Sequence, residues 1–183
     1  MLRTRHAALA LTPPMIWYVL LIGAVAVERL AEVVVAECNR AWSRLHGGVE
    51  FGTRHYPVMV ILHTGLLAGC VIEPIALHRP FIPAVGWPMI AIVLAAQALR
   101  WWCITTLRRQ WNTRVIVIPD AARVIGGPYR FVPHPNYVAV IAEGLALPLM
   151  HTAWITALVF SMLNAALLRT RVKVENAALA SLT

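Results

Sequence analysis

Residues 137–168 read YVAVIAEGLALPLMHTAWITALVFSMLNAALL, 32 positions with a single formal charge, Glu143. As one helix this stretch would be about 48 Å long at about 1.5 Å per residue, well beyond the ~30 Å of a bilayer's hydrocarbon core. Pro148 and the sequence LMHTAW at 149–154 favour a break instead, giving a tight helical hairpin from two short spans, 137–150 and 152–168. Upstream, three more apolar blocks at 15–36, 56–77 and 89–107 each reach the roughly 20 residues a spanning helix needs. The chain has 183 residues, 60% hydrophobic and 13% charged, about half the charged fraction of a soluble domain. These features predict an all-α integral membrane protein with about five transmembrane helices, the last two forming the hairpin. It reads as a single domain over 1–183, with front spans in 1–99 and a core in 100–183.

The segment that leads into the hairpin, GGPYRFVPHPNY at 126–137, is stiff and polar. Pro135 suits the first helical position, where its missing N–H costs nothing, which puts His134 at the cap and Asn136 and Tyr137 in the first turn. The amides of such a helix start attract an anionic group such as a carboxylate. Gly126 and Gly127 permit close backbone approach, and Pro128 stiffens it. Interfacial turn chemistry accounts for the same residues equally well. At the far end, LLRTRVKVENAAL extends the last span as a polar helix. Arg171 and Glu175 there share a face, either as a solvated ion pair or as a flap over a ligand held by 126–137.

The net charge is +8. With five spans, three basic residues (Arg3, Arg5, Arg79) fall on one side and twelve on the other, with Arg29 inside a span. The positive-inside rule places the 38–55 loop, the 108–136 loop and the carboxyl tail in the cytoplasm. The charge reads as topology signalling, not nucleic-acid binding. Cys38, Cys70 and Cys103 form no CxxC, so no metal site is expected. The amino end, MLRTRHAALALTPP, is too short in its apolar core for a signal peptide and reads as an interfacial lead-in.

Ionisable groups inside spans are costly and point to function or to inter-helix contacts. Here they are Glu28, Arg29, Glu32, His63, Glu73 and Glu143. Glu28 and Glu32 lie one turn apart and repel, and Arg29, about 100° round the helix, is an imperfect partner for either. Polar glue between helices suits His63 and Glu73 best. Glu143 lies about two turns past Pro135, near the mouth of the helix that the 126–137 segment opens.

GPYRFVPHPNY, followed by Glu143 and then Arg171-x-x-x-Glu175, resembles the isoprenylcysteine carboxyl methyltransferase family of integral membrane enzymes. The resemblance runs from about Arg100 to the end. The front half, with RWWCITTLRRQWNTRVIVIPD, looks most like the bacterial branch found beside type III polyketide synthases. That branch is associated with O-methylation of alkylresorcinols and alkylpyrones. The resemblance implies S-adenosyl-L-methionine as methyl donor. It implies donor contacts from Tyr129, His134, Pro135, Asn136, Tyr137, Glu143 and Glu175, and from the backbone at Ala121, Ala122, Arg123 and Val124. It also implies Arg171 on the acceptor. Two positions depart from the pattern: Pro133 where arginine is usual, and Asn176 where a second acid is frequent.

The aromatic faces of Tyr129, Tyr137 and Trp101 or Trp102 suit a sulfonium cation. Methyl transfer is an in-line displacement that depends on alignment. A pre-ionised acceptor needs no base, whereas a phenol with a pKa near ~10 needs help, for which His134, Glu28 and Glu32 are candidates, and Arg171 could stabilise the oxyanion. Arg171 is the first candidate catalytic residue, with Glu28 and Glu32 as an acceptor-side pair and His134 positioning the donor. The expected partners are a lipophilic small-molecule acceptor and the lipid bilayer; no obligatory protein partner is evident. A long-chain polyketide lipid is the preferred acceptor, with isoprenylcysteine-type thioether acids next. The expected location is a bacterial inner membrane, with the donor site and carboxyl terminus cytoplasmic. Two other readings stand beside this one: an NADPH-dependent membrane reductase of the sterol-reductase type, and a non-catalytic membrane binding protein.

Overall fold

A computed structural model describes residues 13–119, 121–122 and 124–181. Five helices carry the fold: α1 Pro13–Leu45, α2 His55–Ala76, α3 Pro83–Leu107, α4 Pro135–Leu149 and α5 Trp154–Ser181. Among the described residues, three helical segments are long and apolar enough to cross a membrane: α2, α3 with the turn after it (Pro83–Gln110), and α5 over Trp154–Ala180. Leu20, Ile61, Ile72, Leu94, Leu158 and Met162 are all exposed, an outward apolar surface that lipid solvates and water would not. The chain is therefore an all-α membrane protein in its architecture.

Three qualifying helices replace the expected five spans. α4 has 15 residues, about 22 Å at 1.5 Å per residue, which falls short of the ~30 Å hydrocarbon layer. α1 has 33 residues but interrupts its apolar run with Glu28, Arg29 and Glu32. The lead-in segment lies outside the described residues up to position 12, and Pro13 and Pro14 open α1.

The break between α4 and α5 falls where Pro148 denies the helix a donor. The backbone reverses over residues 150–153, with Thr152 at φ 53° and its hydroxyl donating to the Pro80 carbonyl oxygen at 2.8 Å. The Ala153 amide donates back to the Pro148 carbonyl at 2.9 Å. α5 then begins on a carboxylate cap from another helix. Glu73 of α2 accepts from the Thr156 amide at 2.7 Å, the Thr156 hydroxyl at 2.8 Å and the Ile155 amide at 3.2 Å, and it pairs with Arg79. Such a charge at a helix amino terminus is stabilising.

α4 packs between α3 and α5 over a core that includes Tyr18, Leu66, Cys70, Val93, Leu147 and Phe160. Gly144 sets the α4–α5 approach: a Cβ there would overlap the ring of Phe160, which is itself buried. Gly144→Ala should therefore destabilise the protein by about 1–3 kcal/mol, the usual cost of overpacking a full core. The check is a lowered thermal midpoint in detergent.

Within this helical architecture two loops form a small antiparallel pair that the sequence did not predict: β1 Val49–Phe51 with β2 Val115–Val117, in the register Val49↔Val117, Glu50↔Ile116 and Phe51↔Val115. Two three-residue strands are marginal alone. Glu50 fixes them by accepting from Arg114 at 2.9 Å and pairing with Arg40 at 3.2 Å. Partial burial pushes the Glu50 carboxyl up, but these cations outweigh it and hold it below the usual range. Asn39 donates to the Trp111 carbonyl at 2.7 Å and Asn112 to the Ala36 carbonyl at 3.2 Å, fastening the loop before β2 onto α1.

Candidate active site

The site begins at the start of α4. Gly127 has φ 57° and lies so close to α3 that a Cβ would overlap the Thr106 side chain; glycine alone suits both conditions. The 3-10 turn Gly127–Arg130 follows, and Tyr129 tucks against Cys103 of α3. Burial, with the Cys103 thiol beside it, pushes the Tyr129 phenol up, so it remains a proton donor at neutral pH. His134 occupies the cap position, with a non-helical backbone at φ −129° and ψ 64°, and Pro135 the first helical position. Asn136 and Tyr137 follow in the first turn.

The polar end of α5 folds back on this helix start. The Tyr137 hydroxyl donates to Glu175 Oε2 at 2.6 Å, and His134 Nδ1 lies 3.6 Å from Glu175 Oε1. The His134 and Tyr137 rings stack at 5.4 Å. Arg171 is buried. Its Nη2 donates to the Thr113 carbonyl at 2.9 Å, its Nη1 contacts Met59 Sδ at 2.9 Å, and its Nε lies 3.5 Å from the Tyr137 hydroxyl. Arg171 and Glu175 are thus joined through Tyr137 and do not form the solvated ion pair that their spacing also allowed.

Two cavities meet here. The first, of about 650 Å³, is lined by Ala121, Ala122, Val124, Tyr129, Pro133, His134, Glu175 and Asn176. The second, of about 330 Å³, lies between α1, α2, α4 and α5. Its walls include Leu30, Val33, Val60, Leu67, Val140 and Leu167, with Arg29, Glu32 and Arg100 on its polar side. A narrower space of about 120 Å³ adjoins both: it shares Tyr129, His134 and Glu175 with the first, and Trp111, Asn112, Asn136, Tyr137 and Arg171 with the second. Tyr137 and Arg171 stand at the junction.

The predicted residues divide accordingly. Ala121, Ala122, Val124, Tyr129, His134 and Glu175 line the loop cavity, and Asn136, Tyr137 and Arg171 line the junction. Pro135 is fully buried beneath them as the helix start. Arg123 lies outside the described residues. Trp101 and Trp102 line none of these cavities.

Glu143 is placed elsewhere. It accepts from Arg29 Nη2 at 3.1 Å and from Arg100 Nη2, in a buried ionic cluster beside the second cavity. The helix that Pro135 opens carries it away from the loop cavity, two turns deeper. Arg29 also donates to Glu32 at 2.6 Å and approaches Glu28 at 3.9 Å, so it does answer both carboxylates. Glu28 accepts from Trp101 Nε1 at 2.7 Å and from Gln97 Nε2.

Sequence reasoning missed Arg100, which it counted among the cytoplasmic basic residues although position 100 lies inside the 89–107 span. That location was the available signal. Trp111, Asn112, Thr113 and Asn164, which line the second cavity, carried no spacing signal.

In this helical membrane protein a loop cavity and an inter-helix cavity flank a narrower space lined by Tyr137 and Arg171, room for two ligands side by side. The chain belongs to the isoprenylcysteine carboxyl methyltransferase (ICMT) family, whose model matches residues 89–181, from within α3 to the end of α5. Membership makes it a membrane methyltransferase. It is 37% identical over 166 residues to the uncharacterized protein YpbQ of Bacillus subtilis (strain 168), covering 90% of this chain and 96% of that protein. It is 27% identical over 139 residues to an uncharacterized protein of Haemophilus influenzae, covering 74% and 79%. No solved structure matches it significantly. The family match takes in the loop cavity and the junction but leaves out α1 and α2, which wall the second cavity.

Proposed function

We propose that the protein transfers a methyl group from S-adenosyl-L-methionine to an oxygen of a lipophilic acceptor held in the second cavity. The observation that carries this reading is the narrow space, lined by Tyr137 and Arg171, that adjoins both cavities. The residues around the loop cavity fit the donor. The rings of Tyr129 and Tyr137 and the Glu175 carboxylate favour a cation, and the amino terminus of α4 favours a carboxylate. Asn136 Oδ1 is buried at the junction without a hydrogen-bond partner among the described residues, and it can accept from a ligand amine or hydroxyl. When bound, the donor supplies an electrophilic methyl group.

The chain's own residues do the rest. Glu175, held by Tyr137 and facing His134, anchors the polar ligand. Arg171, held by Thr113, puts a fixed positive charge where the acceptor oxygen gathers negative charge. The lipid-facing walls of the second cavity exclude water and take an alkyl chain. A long-chain polyketide lipid is the preferred acceptor, and an isoprenylcysteine-type thioether acid is the next. With Arg100 inside α3, eleven basic residues against three still support a bacterial inner-membrane location with the loop cavity cytoplasmic.

Titration of the detergent-purified protein with the methyl donor should give saturable binding, and NADPH should give none. Glu175→Gln should weaken donor binding about tenfold, equivalent to about 1.4 kcal/mol, because an amide keeps the shape of the carboxylate but loses its charge. Tight NADPH binding without donor binding, or no transfer of labelled methyl into a lipid extract, overturns the reading.

A further inference from the structure

The methyltransferase reading leaves open whether the acceptor arrives as an anion or as a neutral hydroxyl. The two acids one turn apart on α1 differ in a way that bears on this. Both oxygens of Glu28 are engaged, one by Trp101 and one by Gln97. Glu32 has one oxygen engaged: Oε2 accepts from Arg29 at 2.6 Å. Its Oε1 is buried and ion-paired with Arg100 Nε at 3.6 Å, but it accepts no hydrogen bond among the described residues. Glu32 lines the second cavity and Glu28 does not.

A carboxylate oxygen stripped of water and left without a donor is costly. The same cavity wall holds other polar atoms in that condition: Trp111 Nε1, Thr113 Oγ1, Asn136 Oδ1 and Asn164 Oδ1. Trp111 and Asn164 are 3% and 2% exposed, so this is an interior set. One of these groups is a donor, two are amide oxygens that only accept, and one is a hydroxyl that does both. A bare carboxylate could satisfy only the donors. A ring bearing several hydroxyl or carbonyl oxygens satisfies the whole set. Glu32 also lies one turn before Ala36, whose carbonyl is bonded by Asn112 of the junction. The α1 acid thus stands on the acceptor's side of the meeting point.

Resting on the methyltransferase reading, we propose that the acceptor is a neutral hydroxyl compound with more than one ring oxygen, and that Glu32 Oε1 removes its proton. The hydroxyl O–H bond breaks and its proton passes to Glu32. The oxygen's electron pair forms the bond to the transferred methyl as the methyl–sulfur bond breaks, its electron pair remaining on sulfur. The proton then leaves Glu32 for water between turnovers. The charged groups acting on Glu32 are Arg29 and Glu28 of α1, Arg100 of α3 and Glu143 of α4, while Tyr56 and His63 of α2, Tyr137 of α4 and Arg171 of α5 line the same cavity.

The test compares two acceptors on the full-length protein in lipid nanodiscs: a 5-alkylresorcinol, whose hydroxyls are neutral at pH 7, and a 6-alkyl-4-hydroxy-2-pyrone, which is already ionised. Glu32→Gln should cut kcat for the resorcinol at least about a hundredfold, as loss of a positioned base does. It should leave pyrone turnover within about threefold. The variant's resorcinol rate should climb tenfold per pH unit above pH 7 as the acceptor ionises unaided. Without donor, resorcinol binding to the wild type should shift a carboxylate band in the infrared difference spectrum, and that band should vanish in Glu32→Gln. Equal losses on both acceptors, or an unchanged infrared difference spectrum, would assign Glu32 a packing role and overturn the inference. A wild type that binds the donor and labels a lipid extract but methylates neither acceptor would overturn this inference alone; one that neither binds the donor nor labels the extract would sink the methyltransferase reading itself.

Discussion

Arg171→Ala is expected to lower the turnover of methyl transfer by about 10²–10³-fold, the usual cost of removing one preorganised charge from a developing oxyanion. The side chain is well placed for such an effect. It is buried, its Nη2 is fixed by the Thr113 carbonyl at 2.9 Å, and its guanidinium sits 5.9 Å from the Tyr137 ring centroid at the junction of the cavities. Donor affinity should change far less, because the Tyr137–Glu175 hydrogen bond does not need Arg171. The measurements are kcat from labelled-methyl transfer and donor Kd by calorimetry on the same preparation. Arg171→Lys should recover only part of the loss, since an ammonium cannot hold Thr113 and present charge along the same fork. Comparable losses in donor affinity and turnover would move Arg171 into the donor site and defeat the assignment.

The second large effect is on stability. Glu143→Ala should cost about 3 kcal/mol or more, the scale for removing one partner from a buried ion cluster. Arg29 and Arg100 both lean on Glu143, and Arg100 is 5% exposed. Without that carboxylate, the nearest acid to Arg100 is Glu32 at 3.6 Å, already engaged by Arg29. Unfolding in detergent mixtures should show the loss, and pairing the change with Arg100→Met should return much of it, since the uncompensated charge then disappears. A Glu143→Ala protein as stable as the parent would mean that the cluster contributes no net stability.

Much of the architecture could be read from local chemistry. Pro135 marks the start of α4 because proline is welcome only in a helix's first turn, and Pro148 marks its end because further on it is not. What could not be read is whatever depends on partners distant in sequence. Val49–Phe51 and Val115–Val117 are too short to show a strand period, and each becomes a strand only by meeting the other across 64 to 68 positions. Arg100 looked like one more basic residue at a membrane face because its partners, Glu32 and Glu143, come from two other helices. Arg171 and Glu175 looked like a direct pair because helical spacing brings them to one side, while Tyr137, 34 positions earlier, stands between them. The cavities are properties of the packed helices and leave no mark in any single segment.

The Glu73 cap has a mechanical consequence. α5 is one unbroken helix of 28 residues, clamped at Thr156 by a carboxylate from α2 and carrying Arg171 about 22 Å and Glu175 about 28 Å further on, at 1.5 Å per residue. A bilayer-spanning helix clamped at one end passes a change of tilt to the other, so altering lipid length is expected to strain the Glu175–Tyr137 hydrogen bond, making the surrounding membrane a tuning element as well as a solvent.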